Sequence, residues 1–266
     1  MALRRFYIPP EMAHHPQPEI TGSDAGHICR VLRLSTGDAV ELFDGSGKAY
    51  RAQIVSASPK RVTFTIQDTV DQLSQSRLRI TLAQAMLKDR KMDDLIRQLT
   101  ELGLDCWMPF YAARSVPVSG KKGLAKRLGR WKKIALEAVK QCRRTRIPQI
   151  KPMTDFDQLL HASEAYPLKI MFWEEAAEPF DMPERIRVRP ANVLLVVGPE
   201  GGFDPAEVRR AKAQDFFTTG LGPRTLRAET AALAALALTQ YCFGDMGRLC
   251  TCTQTNEERD DKAHRR

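Results

Sequence analysis

The sequence predicts an α/β protein in two parts: a parallel-sheet domain preceded by a small β-rich one. Three observations carry this. Residues 193–197 (VLLVV) form an all-apolar run of the kind that is buried on both faces of a parallel sheet. Further short apolar runs alternate with helical patterns from about residue 78 onward, which is the pattern of βαβ units. Residues 1–72 instead carry short runs of alternating polarity joined by turn residues, and 266 residues leave room for both parts.

The first part holds three expected strands, 39–43, 50–55 and 61–66, with Asp44-Gly45-Ser46-Gly47 turning between the first two. Its one helical candidate is 23–32, with Ser23 as N-cap. That segment brings His27, Arg30 and Arg33 close together, as a solvated basic face or as a contact for an anionic partner. Residues 70–75 are polar and read as the linker. Residues 78–84 begin the second part as a strand. A helix follows, with Met92, Leu95, Ile96, Leu99 and Leu102 on one face, Asp93 and Asp94 where the helix dipole favours acid, and Gly103 as its stop. Residues 104–110 read as the next strand.

Residues 121–146 carry the densest charge. Lys132, Lys133, Arg144, Arg146 and seven more cations face the single acid Glu137, while Leu124, Leu128, Trp131, Ala135, Ala138 and Cys142 recur at steps of three and four. The pattern is an amphipathic helix with one apolar stripe, stopped by Pro148. Its basic remainder either neutralises phosphates or solubilises the surface. Residues 168–173 read as another buried strand. Glu174, just beyond, is either a pocket border or an exposed loop acid. A Pro-rich connection, 178–190, leads to the run at 193–197.

That run breaks at Gly198-Pro199-Glu200-Gly201-Gly202, where regular structure cannot continue and a ligand can approach bare backbone. Asp204 then suits an N-cap, Pro205 the first helical position and Glu207 a capping box. Residues 216–219 form a short strand. Leu221-Gly222-Pro223-Arg224 breaks again before 228–241, so Ala/Leu-rich that it should be buried on nearly every face. Two glycine-bearing loops thus leave strand ends, and ligands of open α/β sheets bind outside the carboxyl ends of strands. They are expected to wall one pocket. Arg224, Arg227, Glu229 and Thr230 crowd charge and hydroxyl at the mouth of the last helix, where burial without a task is costly.

Composition narrows the classes. No run of about 18 apolar residues exists, and MALRRFYIPPEM lacks the apolar core of a secretory signal, so neither a membrane span nor export is expected. Six cysteines are too few and too scattered for a disulfide framework; four fall in apolar patterns, as core thiols of a cytoplasmic protein do. No metal site is expected from Cys250 and Cys252, which lack two further ligands nearby. The net charge of +9 points to an anionic macromolecule as partner. Residues 249–266 are expected to be a disordered tail, its last stretch charged and without apolar pattern.

The stretch GPEGGF…LGPRTLRAETA resembles the C-terminal signature of the ribosomal RNA small subunit methyltransferase E family, SPOUT-class enzymes that use S-adenosylmethionine (SAM). The likeness continues in His27-Ile28…Arg30-Val31-Leu32-Arg33, in Leu42-Phe43-Asp44-Gly45, in KMDDLIRQLTELG, in Gln141-Cys142…Arg144…Arg146…Pro148 and in Phe243-Gly244-Asp245-Met246-Gly247. Arg143 departs from it, standing where the family has a small residue. The resemblance implies a PUA-like barrel over 1–72 that helps hold RNA, and a SPOUT-like domain over 73–248 with a deep trefoil knot, a SAM site in the knot loops and a homodimer. It also implies a substrate, N3 of a uridine in the decoding region of 16S rRNA.

For that chemistry the donor is already activated by its sulfonium, and the protein must align two partners and let a nitrogen shed its proton. Gly198, Pro199, Glu200, Gly201 and Gly202, with Leu221, Gly222, Pro223, Arg224, Leu226 and Thr230, are the expected SAM contacts. Charge developing on the uracil carbonyls calls for a cation, Arg227 first and Arg144 second. Glu229 orients an arginine, accepts a proton, or simply pairs with Arg227. His27, Arg30, Arg33, Lys132, Lys133 and Arg146 are the expected RNA contacts. A nucleotide-phosphate enzyme would carry GxGxxG or GxxxxGK[ST] after an early strand, and this chain has neither spacing there. A non-catalytic RNA-binding module explains the charge but not the paired loops, and a SPOUT enzyme with another RNA target remains a separate alternative.

Overall fold

The computed structural model describes residues 3–70, 76, 78–88, 90–116, 121–180 and 189–247. The expected tail, most of the linker, part of the Pro-rich connection and Cys250 and Cys252 lie outside these residues.

The first sheet has the order β1-β3-β4-β5-β2, from β1 Arg4–Tyr7, β2 Glu19–Thr21, β3 Ala39–Phe43, β4 Ala49–Ser58 and β5 Arg61–Val70. β1 runs parallel to β3 and the other pairs are antiparallel. Register shifts in β4 and β5 curl this sheet around a core that includes Ile8, Ile28, Leu42, Ile54 and Phe64. The turn after β3 is held by Asp44, whose carboxylate accepts from Ser46 N–H, from Ser46 Oγ and from the Tyr50 hydroxyl. The expected helix over 23–32 is divided. α2 is only Gly22–Gly26, and a π-helical turn, His27–Val31, follows it. (α1 is the short Pro10–Ala13.) Ser23 is not the N-cap: β2 runs on to Thr21, which takes that position without a side-chain bond, and Ser23 lies inside the first turn.

The second sheet is parallel, in the order β12-β10-β11-β6-β7-β8. Its strands are β6 Arg79–Ala85, β7 Cys106–Tyr111, β8 Gln149–Ile150, β10 Leu168–Phe172, β11 Asn192–Val197 and β12 Phe217–Thr219, with β9 Thr154–Asp155 pairing to β7. β11 shows why 193–197 had to be apolar throughout. Val193, Leu195 and Val197 face one core with helices α3 (Lys91–Glu101), α4 (Lys121–Cys142) and α7 (Ala228–Phe243). Leu194 and Val196 face another with α5 (Phe156–Ser163) and α6 (Pro205–Lys212). At ~1.5–3 kcal/mol for each fully buried aliphatic side chain, this strand anchors both layers.

α4 joins the two sheets. Trp131 and Ala135 pack into the core under the second sheet, while Val139 packs with Phe43 and Ala49 of the first. Lys140 reaches Asp24 at 3.3 Å. Just past the helix, Ile147 N–H donates to Gly45 O at 3.0 Å and Gly47 N–H to Thr145 O at 3.2 Å. The helix ends at Arg143, whose φ of 64° lies in the left-handed region. A glycine is favoured there, so arginine is a strained choice at the end of this helix.

α7 is not covered on every side. Ala228, Ala232, Ala235, Leu236 and Phe243 are buried, but Leu238 is 39% and Tyr241 67% exposed. The Ala/Leu composition fitted a buried helix, and one apolar strip of it faces outward.

Candidate functional site

The site forms where β10 and β11 end. Phe172 and Val197, the last residues of those strands, make an apolar floor with Ala228 and Ala231 of α7. The walls are the two loops, and together they enclose a cavity of about 610 Å³. That volume is in the range of small-molecule and cofactor sites.

The first loop is braced from several sides. Gly198 O accepts from the buried Gln84 Nε2 at 3.1 Å, and Gly201 O accepts from Arg114 Nη1 at 3.1 Å. The helix after the loop starts as its capping box requires: Asp204 accepts from Ala206 N–H at 2.9 Å, and Glu207 accepts from Asp204 N–H at 3.0 Å. The second oxygen of Glu207 accepts from Ala113 N–H at 2.9 Å, which ties the loop to the end of β7. Gly202 has φ 68°, and a Cβ on it would overlap the Glu174 carboxylate. Glycine is favoured there by its left-handed backbone, and any side chain would also have to displace the end of Glu174.

Charge in the cavity centres on Lys91, the first residue of α3. Its Nζ lies 3.1 Å from Glu200 and 3.4 Å from Glu229. The hydrogen bond to Glu200 raises the pKa of Lys91. Burial pushes Glu200 upward, but donation from Lys88 N–H and Lys91 outweighs it, and its carboxyl is held below the usual range. The pair is thus ionised at neutral pH. Arg224 and Arg227 stand exposed on the second loop, and neither has an ion-pair partner among the described residues.

The cavity brings together Gly198, Pro199, Glu200, Gly202, Leu221, Gly222, Pro223, Arg224, Leu226 and Arg227. Glu174 borders it as well. Gly201 turns out of it toward Arg114, and Thr230 is exposed outside it. Glu229 pairs with Lys91 and not with Arg227. Arg144 is elsewhere: its Nη1 donates to Thr100 O at 2.9 Å and Leu104 O at 2.8 Å, closing the end of α3. Burial lowers its pKa, opposed by Asp105. Arg146 lies against the 44–47 turn, its Nε 3.4 Å from Ser46 O. His27, Arg30, Arg33, Lys132 and Lys133 are exposed and away from the cavity lining. Sequence reasoning missed Lys91 and Trp173 as lining residues. Lys91 had a signal: a cation in the first turn of a helix opposes its dipole and asks for an anion nearby. Among the described residues no group of three or more His, Cys, Asp or Glu could hold a metal ion, and no helix is long and apolar enough to cross a membrane.

Comparison with known proteins adds the context. Residues 74–240 match the family model for an RNA methyltransferase domain, and residues 20–67 match that for an RNA methyltransferase PUA domain. The chain is 31% identical over 247 residues to ribosomal RNA small subunit methyltransferase E of Bacillus subtilis, covering 90% of this chain and 96% of the relative. Among solved structures, a Legionella pneumophila protein in complex with SAM superposes with a TM-score of 0.82 at 31% identity, covering 92% of this chain and 100% of that one. The ribosomal RNA small subunit methyltransferase E of Neisseria gonorrhoeae, bound to SAM, gives 0.80 at 29% identity, covering 92% and 99%.

Proposed function

The chain belongs to the ribosomal RNA small subunit methyltransferase E family, and on that premise we propose that it transfers the methyl group of SAM to N3 of a uridine in the decoding region of 16S rRNA. The observation that carries this reading is the single cavity walled by both loops, in a chain whose solved relatives hold SAM.

The backbone of 198–202 and 221–226 presents amides and carbonyls to the adenine edge and the methionine end of SAM. Lys91 holds Glu200 and Glu229 so that the first loop and the start of α7 keep one spacing. With Glu229 and Arg144 both committed elsewhere, Arg227 is the cation that meets charge developing on the uracil carbonyls. The target base reaches it unstacked from its neighbours. The basic faces of α4 and of the π-helical turn hold the RNA. A trefoil threading of the second part belongs to the same reading, as does a homodimer formed through the exposed apolar strip of α7.

Two measurements test it. Calorimetric titration with SAM gives micromolar-scale binding, and mass mapping of 16S rRNA from a strain lacking the gene shows one uridine without its methyl group. A complete methylation pattern in that strain ends the substrate assignment. Arg227→Ala lowers kcat by about 100-fold while SAM affinity changes little; normal turnover removes it from the reaction.

A further inference from the structure

A second concave site lies beside the first. It is a cleft of about 620 Å³ between the start of α3 and the middle of α4, lined by Arg90, Met92, Asp93, Arg127, Arg130 and Trp131. Asp93 is committed to the protein: it accepts from Trp131 Nε1 at 3.0 Å and lies 2.7 Å from Arg130 Nη2. That bond and ion pair hold Arg130 in one orientation. Arg90 and Arg127 have no ion-pair partner among the described residues, so three cations against one acid leave a surplus of two positive charges. Met92 and Trp131 are buried and supply only the floor.

Arg90 is also the N-cap residue of α3, and it makes no side-chain capping bond. Arginine there is a poor choice, since it opposes the helix dipole and leaves N-terminal amides uncapped. The next residue, Lys91, opposes the dipole too, but Glu200 and Glu229 offset it. Among the described residues Arg90 has no ion-pair partner, and Asp93 and Asp94 in the first turn are paired instead with Arg130 and Arg97. An anion in the cleft would meet the unpaired guanidinium groups of Arg90 and Arg127 at the positive end of the helix, beside the Asp93–Arg130 pair.

We propose that this cleft binds a backbone phosphate of the RNA substrate close to the target nucleotide. Arg90 lines the cleft and Lys91 the cavity, so one turn of α3 serves both and fixes the bound phosphate beside the methyl donor. The inference rests on the RNA-methylation reading above and adds a specific phosphate subsite to it.

The test compares wild type, Arg90→Glu/Arg127→Glu, and Arg209→Glu as an exposed control on α6. Each is titrated with a 16S rRNA fragment carrying the target uridine, between 50 and 200 mM salt, and separately with SAM. Each lost phosphate contact flattens the salt slope by about 0.7–0.9. The double variant, which loses the one phosphate held in the cleft, is therefore expected to lose about 0.7–0.9 from the slope, so that its affinity falls about threefold less than wild type over this salt range. SAM affinity and the control stay at wild-type values. An unchanged slope, or a loss matched by the control, overturns the subsite. A parallel loss of SAM affinity assigns the cleft to the donor and overturns it as well. If wild type binds SAM but no RNA, the methylation reading fails and the subsite falls with it. Should the double reversal fail to fold, Arg90→Gln and Arg127→Gln carry the same comparison, with half the slope change expected from each.

Discussion

Gly201 and Gly202 are neighbours with opposite duties. A Cβ on Gly201 would meet Arg114 Cβ at 3.4 Å, an ordinary contact, whereas Gly202 combines a left-handed backbone with the space taken by Glu174. Gly201→Ala is expected to leave SAM binding within about twofold of wild type, while Gly202→Ala costs ~1–2 kcal/mol from its backbone conformation alone and weakens binding at least tenfold. Calorimetry on both variants checks the contrast, and equal effects would refute it. The Lys91–Glu200 pair sets a pH window. Glu200 has a depressed folded pKa, so its contribution is present above the unfolded value and is lost as pH falls through the folded one. Lys91 has a raised folded pKa, so its contribution is present below the unfolded value and is lost as pH rises through the folded one. SAM affinity is expected to be flat from roughly pH 5 to pH 10 as far as this pair decides it, and to drop on either side. In Lys91→Met the acid-side drop moves to higher pH as Glu200 loses that donor; an unmoved profile would separate the pair from binding.

Among the elements, α4 carries a visible flaw at its end. Arg143 occupies a left-handed position that costs a side-chain-bearing residue about 1 kcal/mol or more. Arg143→Gly is expected to stabilise the protein by ~0.5–1 kcal/mol, read from the urea midpoint, because glycine's extra freedom in the unfolded chain takes back part of the gain. A lower midpoint would mean the arginine earns its place through a contact. Elements whose signals are local were legible in the sequence. The capping box at Asp204, Pro205 and Glu207 and the apolar run of β11 stand as expected. The pairing of the two loops followed from strand ends alone. What escaped was non-local. Lys91 meets Glu200 across 109 residues and Glu229 across 138, and no periodicity encodes such a meeting. The π-helical turn escaped for a different reason: its pattern of side chains is that of an ordinary helix, and it shows in the backbone, where Leu32 N–H donates to His27 O five residues back at 3.0 Å. The family resemblance points to Arg144 as a second cation for the site, yet its guanidinium donates to two carbonyls at the end of α3.

At the scale of the whole molecule, α7 exposes two large apolar side chains among the described residues. Tyr241 at 67% and Leu238 at 39% exposure stand on a helix whose other face closes the cavity floor. The homodimer proposed above would cover them. Light scattering is expected to give twice the chain mass for wild type and the single-chain mass for Tyr241→Glu with Leu238→Lys; a wild-type monomer would rule the interface out.

The helix that joins the sheets has one more implication. Between Trp131, beside the arginine cleft, and Lys140, paired to Asp24 of α2, α4 advances nine residues, or about 14 Å. A rigid rod of set length between two gripping points behaves as a gauge. On the RNA-methylation reading proposed above, a transcript held both at the cleft and on the first part has to match that spacing, and one that differs by a few ångströms loses one of the two holds.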